Sequence, residues 1–374
     1  MGESGTIDDT EQRDVSAVVI TNLESTTKEY EYGDRRCIQG TRVLSTDSRV
    51  PRKRKSGDAR RKRKRQPELA AMVHETENDP LQEIALSESG LSKPQKAELV
   101  KLLEEFRGIF AKNPKRPGCT DQVRHEIDTG TNRPINVAPY RLGPIEKQKV
   151  AEEIKVMQEN DIIRPSRSPW AAPVVLVTKK DRTIRFCVNY RKVNAITKKD
   201  VYPLPQIDEA LDAMHGATFF STLDLASGYW QVEMDPRDQE KTAFISDQGL
   251  FEFNVMPFSL CDTPATFQQL MDAVLARLKW TTCLVYLDDI IIFSRTFEEH
   301  LDRLRGVFER IQEAKLQLKA SKCHFASNNI NYLGHVVSDK GIAPDPAKIQ
   351  AVADFPTPTT VKDLRSFLGL TSYY

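Results

Sequence analysis

Two adjacent aspartates, Asp288 and Asp289, follow Tyr286-Leu287 and lie between two strongly apolar runs. The runs at 284–287 and 290–293 are rich in Leu, Val, Ile and Phe, which is typical of buried strands. An Asp-Asp pair between such strands is compatible with a simple hairpin turn. Adjacent carboxylates raise each other's pKa unless a cation neutralises them, and Mg²⁺ prefers oxygen ligands. The pair is therefore either a plain turn or part of a metal site.

A third carboxylate, Asp224, ends another predicted strand at 219–223. If the fold brings this strand end to the Asp288-Asp289 hairpin, three carboxylates form one cluster. Two metal ions held about 4 Å apart by such a cluster can stabilise the attacking and leaving oxygens of a phosphoryl transfer. The spacing alone does not show that the carboxylates meet.

The elements around these aspartates indicate a mixed α+β fold. Leu99, Leu102, Leu103 and Phe106 follow helical spacing after a Ser92 cap, and further helical stripes run through 150–157, 264–278 and 301–311. Short apolar runs at 174–177 and 184–188 predict a hairpin with a charged tip. Hairpins occur here instead of a regular alternation of strand and helix, which favours antiparallel sheets packed on helices.

Composition excludes several classes of protein. The 374 residues carry 54 basic and 53 acidic side chains, so the chain is not uniformly basic or acidic. The six cysteines are sparse and form no C-x-x-C pair, which argues against a zinc ribbon or a disulfide scaffold and favours a reducing compartment. No 18-residue apolar stretch and no signal-peptide core are present, so we expect no membrane partner.

Charge is nevertheless segregated along the chain. Residues 1–65 hold 16 basic and 11 acidic side chains, and residues 1 to about 90 read as largely disordered. Within them lies a dense basic run, which is compatible with a nuclear import signal, a phosphate-binding arm or a solvated linker. The run comprises Arg52, Lys53, Arg54, Lys55, Arg60, Arg61, Lys62, Arg63, Lys64 and Arg65.

From about His125 to Tyr374, the chain resembles the reverse transcriptase of gypsy-type long-terminal-repeat retrotransposons. A lone Tyr-x-Asp-Asp is weak evidence, but ten further blocks occur in the same order as in that family. The matching blocks are SPWAAPVV (168–175), KKD (179–181), RFCV (185–188), YR (190–191), YPLP (202–205), FSTLDLASGYWQ (220–231), KTAF (241–244), MPF (256–258), PATFQ (264–268), YLDDIIIFS (286–294) and YLGH (332–335). The resemblance implies a right-hand polymerase fold with fingers, an antiparallel palm sheet packed on helices, and a partial thumb.

The resemblance also implies a role for individual residues. Asp224, Asp288 and Asp289 would be the catalytic triad, with two Mg²⁺ ions (or Mn²⁺ as a substitute) held mainly by the first two. Tyr229 matches the steric gate that favours deoxynucleotides, although it could be an ordinary core aromatic beside Trp230. The residues that match the incoming triphosphate and sugar are Lys179, Lys180, Arg185 and Phe258, and those that match the primer grip are Leu333, Gly334 and His335.

These matches suggest a domain organisation and partners. We expect a disordered leader (1–91), a helical lead-in (92–124), fingers (125–215), a palm (216–337) and a truncated thumb start (338–374). The partners would be an RNA or DNA template-primer duplex and deoxynucleoside triphosphates. The expected location is intracellular, either a cytoplasmic particle or the nucleus, and the sequence leaves the oligomeric state open.

Three departures from the family pattern leave a second hypothesis open. Ser259 replaces the usual glycine after Met-Pro-Phe, Asp262 and Thr263 replace Asn-Ala, and Asn189 replaces aspartate before Tyr-Arg. Ser259, together with the early stop, suggests an inactive remnant that only binds nucleic acid. A third hypothesis, a nuclear interaction protein, depends on the basic run alone.

The tripeptide Asp128-Thr129-Gly130 is found in retroviral-type aspartic proteases, but here it lies in the leader to the polymerase blocks. The tripeptide does not therefore predict a protease. Because all three aspartates of the implied catalytic triad are present, the resemblance predicts an RNA-directed DNA polymerase.

Overall fold

The computed structural model describes residues 79–84, 90–178 and 184–372. The basic run at 52–65, Lys179 and Lys180 lie outside the described residues. The described part divides into two compact units, with the boundary between Asp354 and Phe355. In chain order the helices are α1 (Lys93–Glu105), α2 (Pro144–Glu159), α3 (Arg191–Asn194), α4 (Ile207–Ala213), α5 (Thr263–Val274), α6 (Phe297–Glu313), α7 (Pro346–Ala353) and α8 (Val361–Thr371).

The strands lie between these helices, mostly in groups of two to four, and most of them pair antiparallel. In chain order they are β1 (Thr120–His125), β2 (Ile163–Pro165), β3 (Ala172–Thr178), β4 (Ile184–Val188), β5 (Phe219–Asp224), β6 (Val232–Met234), β7 (Phe244–Ser246), β8 (Gly249–Phe253), β9 (Cys283–Tyr286), β10 (Asp289–Ser294), β11 (His324–Ser327), β12 (Asn329–Tyr332), β13 (His335–Ser338) and β14 (Gly341–Pro344). The α+β class predicted from the sequence is confirmed.

The central sheet has the strand order β11-β5-β10-β9, and all its pairs are antiparallel. Successive residues of β10 point to opposite faces, and here both faces are covered. Ile290 and Ile292 belong to the main core, whereas Ile291 and Phe293 belong to a second cluster with Phe220. Burial on both faces explains why the sequence of β10 is continuously apolar instead of alternating.

Helices α1 and α6 pack beside the central sheet. The cap predicted at Ser92 is present and forms a capping box, in which the Ser92 backbone N–H donates to Gln95 Oε1 at 3.0 Å. The ring of Phe106, the C-cap residue of α1, lies 5.5 Å from that of Phe308 on α6. The apolar stripe of α6 faces the core, and the helix begins at a Thr296 cap.

A five-stranded sheet forms the second layer, in the order β2-β8-β7-β3-β4. The predicted hairpin is present, with β3 and β4 in antiparallel register. Phe244 is fully buried at its centre and contacts the rings of Phe186, Phe251 and Phe253. These aromatic contacts fix the register of the short strands.

A smaller three-stranded sheet, β12-β13-β14, follows in the same unit. In the other unit, α8 begins with a capping box between Thr360 and Asp363, and the ring of Phe367 lies 5.4 Å from that of Phe355. Among residues 79–84, 90–178 and 184–372, no helix combines the length and apolar composition needed to cross a bilayer.

Candidate active site

The three predicted aspartates meet at one end of the central sheet. Asp224 is the last residue of β5, Asp289 is the first of β10, and the two are direct cross-strand partners. Directly opposed residues of an antiparallel pair have Cα atoms roughly 4.5–5.5 Å apart. Asp288 precedes Asp289 in the turn between β9 and β10. The strand-end acid and the hairpin acids therefore form one carboxylate cluster.

The hairpin turn differs in register from the sequence prediction. Tyr286 pairs with Asp289, so Leu287 and Asp288 are the two central residues of the turn. Leu287 has φ of 56°, in the left-handed region that residues with side chains disfavour. The sequence prediction had placed Leu287 inside the strand because it is apolar, and the actual turn directs Asp288 to the hairpin tip.

Lys322 contributes a cation that the sequence prediction missed. Its Nζ donates to Asp224 Oδ2 at 2.7 Å, and both side chains keep contact with solvent. Lys322 ends a short 3₁₀ turn before β11, and the neighbouring Lys319 N–H donates to the Asp224 carbonyl at 2.9 Å. The only signal in the sequence was a lysine beside Cys323, about 100 residues from Asp224.

The two hairpin aspartates hold their protons more tightly than free aspartate does. Burial among the surrounding elements raises the pKa of Asp289 to about 6, and the charges of Asp288 and Asp224 contribute. Burial also raises the pKa of Asp288, with a further contribution from Asp224 and an opposing one from Lys322. Both side chains still reach solvent, so they remain open to a ligand. This electrostatic pattern favours binding of an additional cation.

The donor set suits a hard divalent ion in an open site. Within the described residues, no three His, Cys, Asp or Glu side chains converge into a ready-made metal cage. Mg²⁺ commonly takes only one or two carboxylates, with water and substrate phosphates completing its octahedron. Asp224 and Asp288 supply oxygen ligands of this kind, and Lys322 already holds a positive charge against one of them. The residues present therefore fit the metal.

Tyr229 lies in an aromatic cluster just beyond Asp224. Its ring lies 5.2 Å from Phe258 and 5.3 Å from Phe267, in an edge-on contact with the latter. Phe267 is fully buried, whereas Phe258 is 44% exposed. Tyr229 is half-buried, so it lies between core and solvent. The same cluster includes Trp230, whose ring lies 6.1 Å from Phe258.

Gly228 explains how this cluster packs so closely. A Cβ atom built on Gly228 would lie 2.9 Å from the Phe267 ring, which is closer than real side chains approach. Ser227 before it has φ of 49° and opens the short 3₁₀ turn that carries Tyr229. The backbone must therefore pass directly over Phe267, and only glycine permits this approach.

Of the predicted triphosphate-binding residues, only Arg185 lies within the described part of the chain. It is exposed on β4, opposite Val177 of β3. Its guanidinium is available to form paired hydrogen bonds to phosphate oxygens.

The predicted primer grip is a two-residue hairpin turn between β12 and β13. Tyr332 pairs with His335, and the central residues Leu333 and Gly334 have φ of 46° and 75°. Two successive positive φ values define a type I′ turn, the turn that matches the twist of a hairpin. His335 Nδ1–H donates to the Leu333 carbonyl at 3.1 Å. This geometry gives a local reason for glycine at position 334.

The residues at the departures from the family pattern make local contacts, although the backbone at Ser259 would suit glycine better. Ser259 is exposed with φ of 75°, a conformation that favours glycine, and its carbonyl accepts from Asn194 Nδ2. Asp262 accepts a hydrogen bond from the Asp200 N–H at 3.2 Å. Asn189 accepts from Arg191 and donates to the Tyr140 hydroxyl. Each substitution is accommodated outside the carboxylate cluster.

Asp128 of the protease-like tripeptide forms a local turn. Its carboxylate accepts from Lys198 Nζ and from the Gly130 N–H, both at 2.7 Å. The hydrogen bond from Lys198 and that from Gly130 lower the pKa of this carboxyl.

Residues 177–337 match the family model described as Reverse transcriptase (RNA-dependent DNA polymerase). The chain is 39% identical over 289 residues to the Retrovirus-related Pol polyprotein from transposon 297 of Drosophila melanogaster, covering 76% of this chain and 27% of that protein. The Transposon Tf2-3 polyprotein of Schizosaccharomyces pombe is 32% identical over 314 residues, with 81% and 24% covered. The chain thus spans about a quarter of the length of these relatives.

Solved structures share the fold at low sequence identity. A foamy viral protease-reverse transcriptase in complex with double-stranded DNA superposes with a TM-score of 0.73 at 24% identity, covering 83% of this chain and 54% of that one. A foamy viral protease-reverse transcriptase in complex with an RNA/DNA hybrid gives 0.70 at 23% identity, with 79% and 40% covered. The chain therefore has the polymerase fold of a reverse transcriptase, as predicted.

Proposed function

We propose that this chain, which carries a reverse transcriptase domain of the kind found in retrotransposon Pol polyproteins, is an RNA-directed DNA polymerase. The observation that carries the proposal is the placement of Asp224, Asp288 and Asp289 at the same end of the central sheet, where Asp224 and Asp289 are direct cross-strand partners. The sequence blocks further suggest the gypsy type. In this assignment residues 125–215 are the fingers, 216–337 the palm and 338–374 the start of the thumb.

The reaction transfers a nucleotidyl group to a primer 3′-hydroxyl and releases pyrophosphate. When bound, two Mg²⁺ ions, or Mn²⁺ in their place, would lower the pKa of the attacking hydroxyl and neutralise the leaving group. Asp224 and Asp288 would hold them through carboxylate oxygens, and Asp289 adds negative charge beside them. Lys322 forms a salt bridge with Asp224 and offsets part of the negative charge of the cluster.

The aromatic cluster supports a preference for deoxynucleotides. The ring of Tyr229 packs against the buried ring of Phe267 and the exposed ring of Phe258. A ring fixed in this way does not yield to an extra hydroxyl, so it would exclude a ribose 2′-oxygen. Phe258 presents an exposed ring to the nucleotide sugar, and Lys179, Lys180 and Arg185 would hold the triphosphate.

The proposed partners are an RNA or DNA template-primer duplex and deoxynucleoside triphosphates. The structural neighbours were solved with an RNA/DNA hybrid and with double-stranded DNA, which supports the duplex partner. The turn at Leu333, Gly334 and His335 would contact the primer backbone. The basic run at 52–65 would add phosphate contacts, so its deletion should reduce the salt dependence of duplex binding. An unchanged salt dependence would leave import or linker roles for this run.

The test is extension of a DNA primer annealed to an RNA template, with deoxynucleotides and Mg²⁺ or Mn²⁺. We expect extension with deoxynucleotides and much less with ribonucleotides. Tight duplex binding without extension, unrestored by Ser259→Gly, would contradict the enzyme and favour the nucleic-acid-binding remnant. Efficient use of ribonucleotides would refute the assigned role of Tyr229.

A further inference from the structure

A fully buried glutamine side chain, Gln268 on α5, reaches the turn that carries Asp288. Its Oε1 accepts the Leu287 N–H at 2.7 Å. Its Nε2 donates to Asp272 Oδ1 at 2.8 Å and to the Val285 carbonyl at 3.4 Å. The amide orientation is unambiguous, because a backbone N–H can only donate and the other two partners can only accept. Gln268 therefore bridges α5 to both β9 and the turn after it.

The turn needs such a restraint because its backbone is strained. Leu287 has φ of 56°, where a side chain crowds the backbone. The hydrogen bond from Gln268 to the Leu287 N–H fixes this peptide unit in place. Asp288 follows directly, and Asp289 opens β10 opposite Asp224. A shift of the turn would move these carboxylates relative to Asp224.

Asp272, which accepts a hydrogen bond from Gln268, belongs to a charged hydrogen-bond network. Asp272, one helical turn further along α5, accepts from Lys279 Nζ at 2.6 Å and from the Tyr202 hydroxyl at 2.9 Å. The Lys279–Asp272 pair is largely buried, with 16% and 18% of its side chains exposed. Buried hydrogen-bonded networks of this kind restrict rotamers. The Gln268 amide is thus fixed at both ends.

We propose that Gln268 is a positioning residue for polymerisation, which acts through the Leu287 N–H to hold the strained turn and so sets the geometry of Asp288. The proposal rests on the proposed polymerase function. Gln268 acts through the backbone of the turn and not by direct hydrogen bonds to Asp224, Asp288 or Asp289, so its effect is on the maximal rate and on the metal requirement more than on duplex affinity. Asp272 holds the Gln268 amide in place by accepting a hydrogen bond from its Nε2.

The experiment compares Gln268→Met with Gln269→Met. Gln269 is the next residue on the same helix, and its amide donates to Asp200 instead of the turn. Two quantities are measured: hydrogen exchange resolved at the Leu287 amide, and the single-turnover rate of primer extension as a function of Mg²⁺ concentration. We expect Gln268→Met to speed the exchange and to slow saturated extension, each by about tenfold to a hundredfold, because the partly buried Leu287 N–H loses its acceptor. Gln269→Met should change neither.

Gln268→Glu provides the conservative comparison. Its carbonyl oxygen can still accept from the Leu287 N–H, and the neighbouring Asp272 carboxylate favours the protonated form, whose O–H can donate to Asp272, so slow exchange and most of the rate should be kept. If Gln268→Met does not fold, the comparison uses Gln268→Asn instead, whose shorter side chain moves the acceptor away from the Leu287 N–H by one methylene group. Wild-type exchange and rate in Gln268→Met or its Gln268→Asn substitute, or equal losses in both methionine variants, would overturn the proposal. An inactive wild type would instead contradict the polymerase function, and the exchange comparison would still test the restraint.

Discussion

A buried histidine ties the strands of the central sheet together and makes the fold sensitive to acid. His300 on α6 is fully buried, with Nδ1 lying 3.0 Å from Ser294 Oγ on β10 and Nε2 lying 2.7 Å from Ser221 Oγ on β5. Ser294 donates to the Thr296 carbonyl, so it must accept from Nδ1–H. Ser221 accepts the Ala326 N–H and is left to donate to Nε2. Only the neutral imidazole satisfies every partner.

Protonation of His300 is therefore unfavourable in the folded protein. Burial lowers its pKa to about 3, and the positive charge of Arg303 acts in the same direction, against Glu299. The unfolded value is about 6.5, so the unfolded chain binds more protons between these limits, and stability falls as pH drops below 6.5. Because pH 5 lies about 1.5 units below the unfolded pKa, protonation of this histidine in the unfolded chain lowers the free energy of unfolding by about 2 kcal/mol.

The assay is urea unfolding followed by tryptophan fluorescence at pH 7.5 and pH 5. The wild type should lose about 2 kcal/mol more of its free energy of unfolding than His300→Gln over this interval, because glutamine does not titrate. His215→Gln, the same exchange at an exposed histidine, is the control. If wild type and His300→Gln differ by less than about 0.5 kcal/mol in their pH dependence, the buried neutral imidazole is refuted.

Two further predictions concern glycine and its substitutes. Gly228→Ala should destabilise the protein by about 1–3 kcal/mol through overpacking against Phe267, whereas Gly306→Ala, whose Cβ would make only an ordinary contact with Leu278 at 4.0 Å in the middle of α6, should stabilise it by up to about 1 kcal/mol. Equal effects in chemical denaturation would refute the close approach at Gly228. Ser259→Gly should raise the free energy of unfolding by up to about 1 kcal/mol, because φ of 75° disfavours serine. A loss of stability in thermal or urea unfolding would contradict this.

The carboxylate cluster could be predicted from sequence because each aspartate lies at the end of an apolar strand. Strand ends and hairpin tips are set by local patterning, and the family blocks specified which ones meet. Lys322 could not be predicted in this way, because its contact with Asp224 joins segments about 100 residues apart. Contacts of this kind depend on how β11 lies beside β5, which no local pattern encodes.

Two other features were hidden by residue type. His300 lies on the buried stripe of α6 at the spacing of Phe297 and Leu304, but a polar residue does not count toward an apolar pattern. Leu287 is apolar and was assigned to a strand, whereas Gln268 and the turn impose a left-handed backbone on it. Tertiary partners therefore overrode local preference at the residues closest to the chemistry.

The central claim is that Asp288 is a metal ligand for nucleotidyl transfer. The most direct measurement is the single-turnover rate of primer extension on an RNA template at saturating deoxynucleotide and Mg²⁺, for Asp288→Asn and for Asp302→Asn, the same exchange at an exposed position on α6. The account predicts a loss of roughly a thousandfold or more for Asp288→Asn, as for removal of a principal electrostatic group, and a wild-type rate for Asp302→Asn. Extension by Asp288→Asn within a few fold of wild type would contradict it.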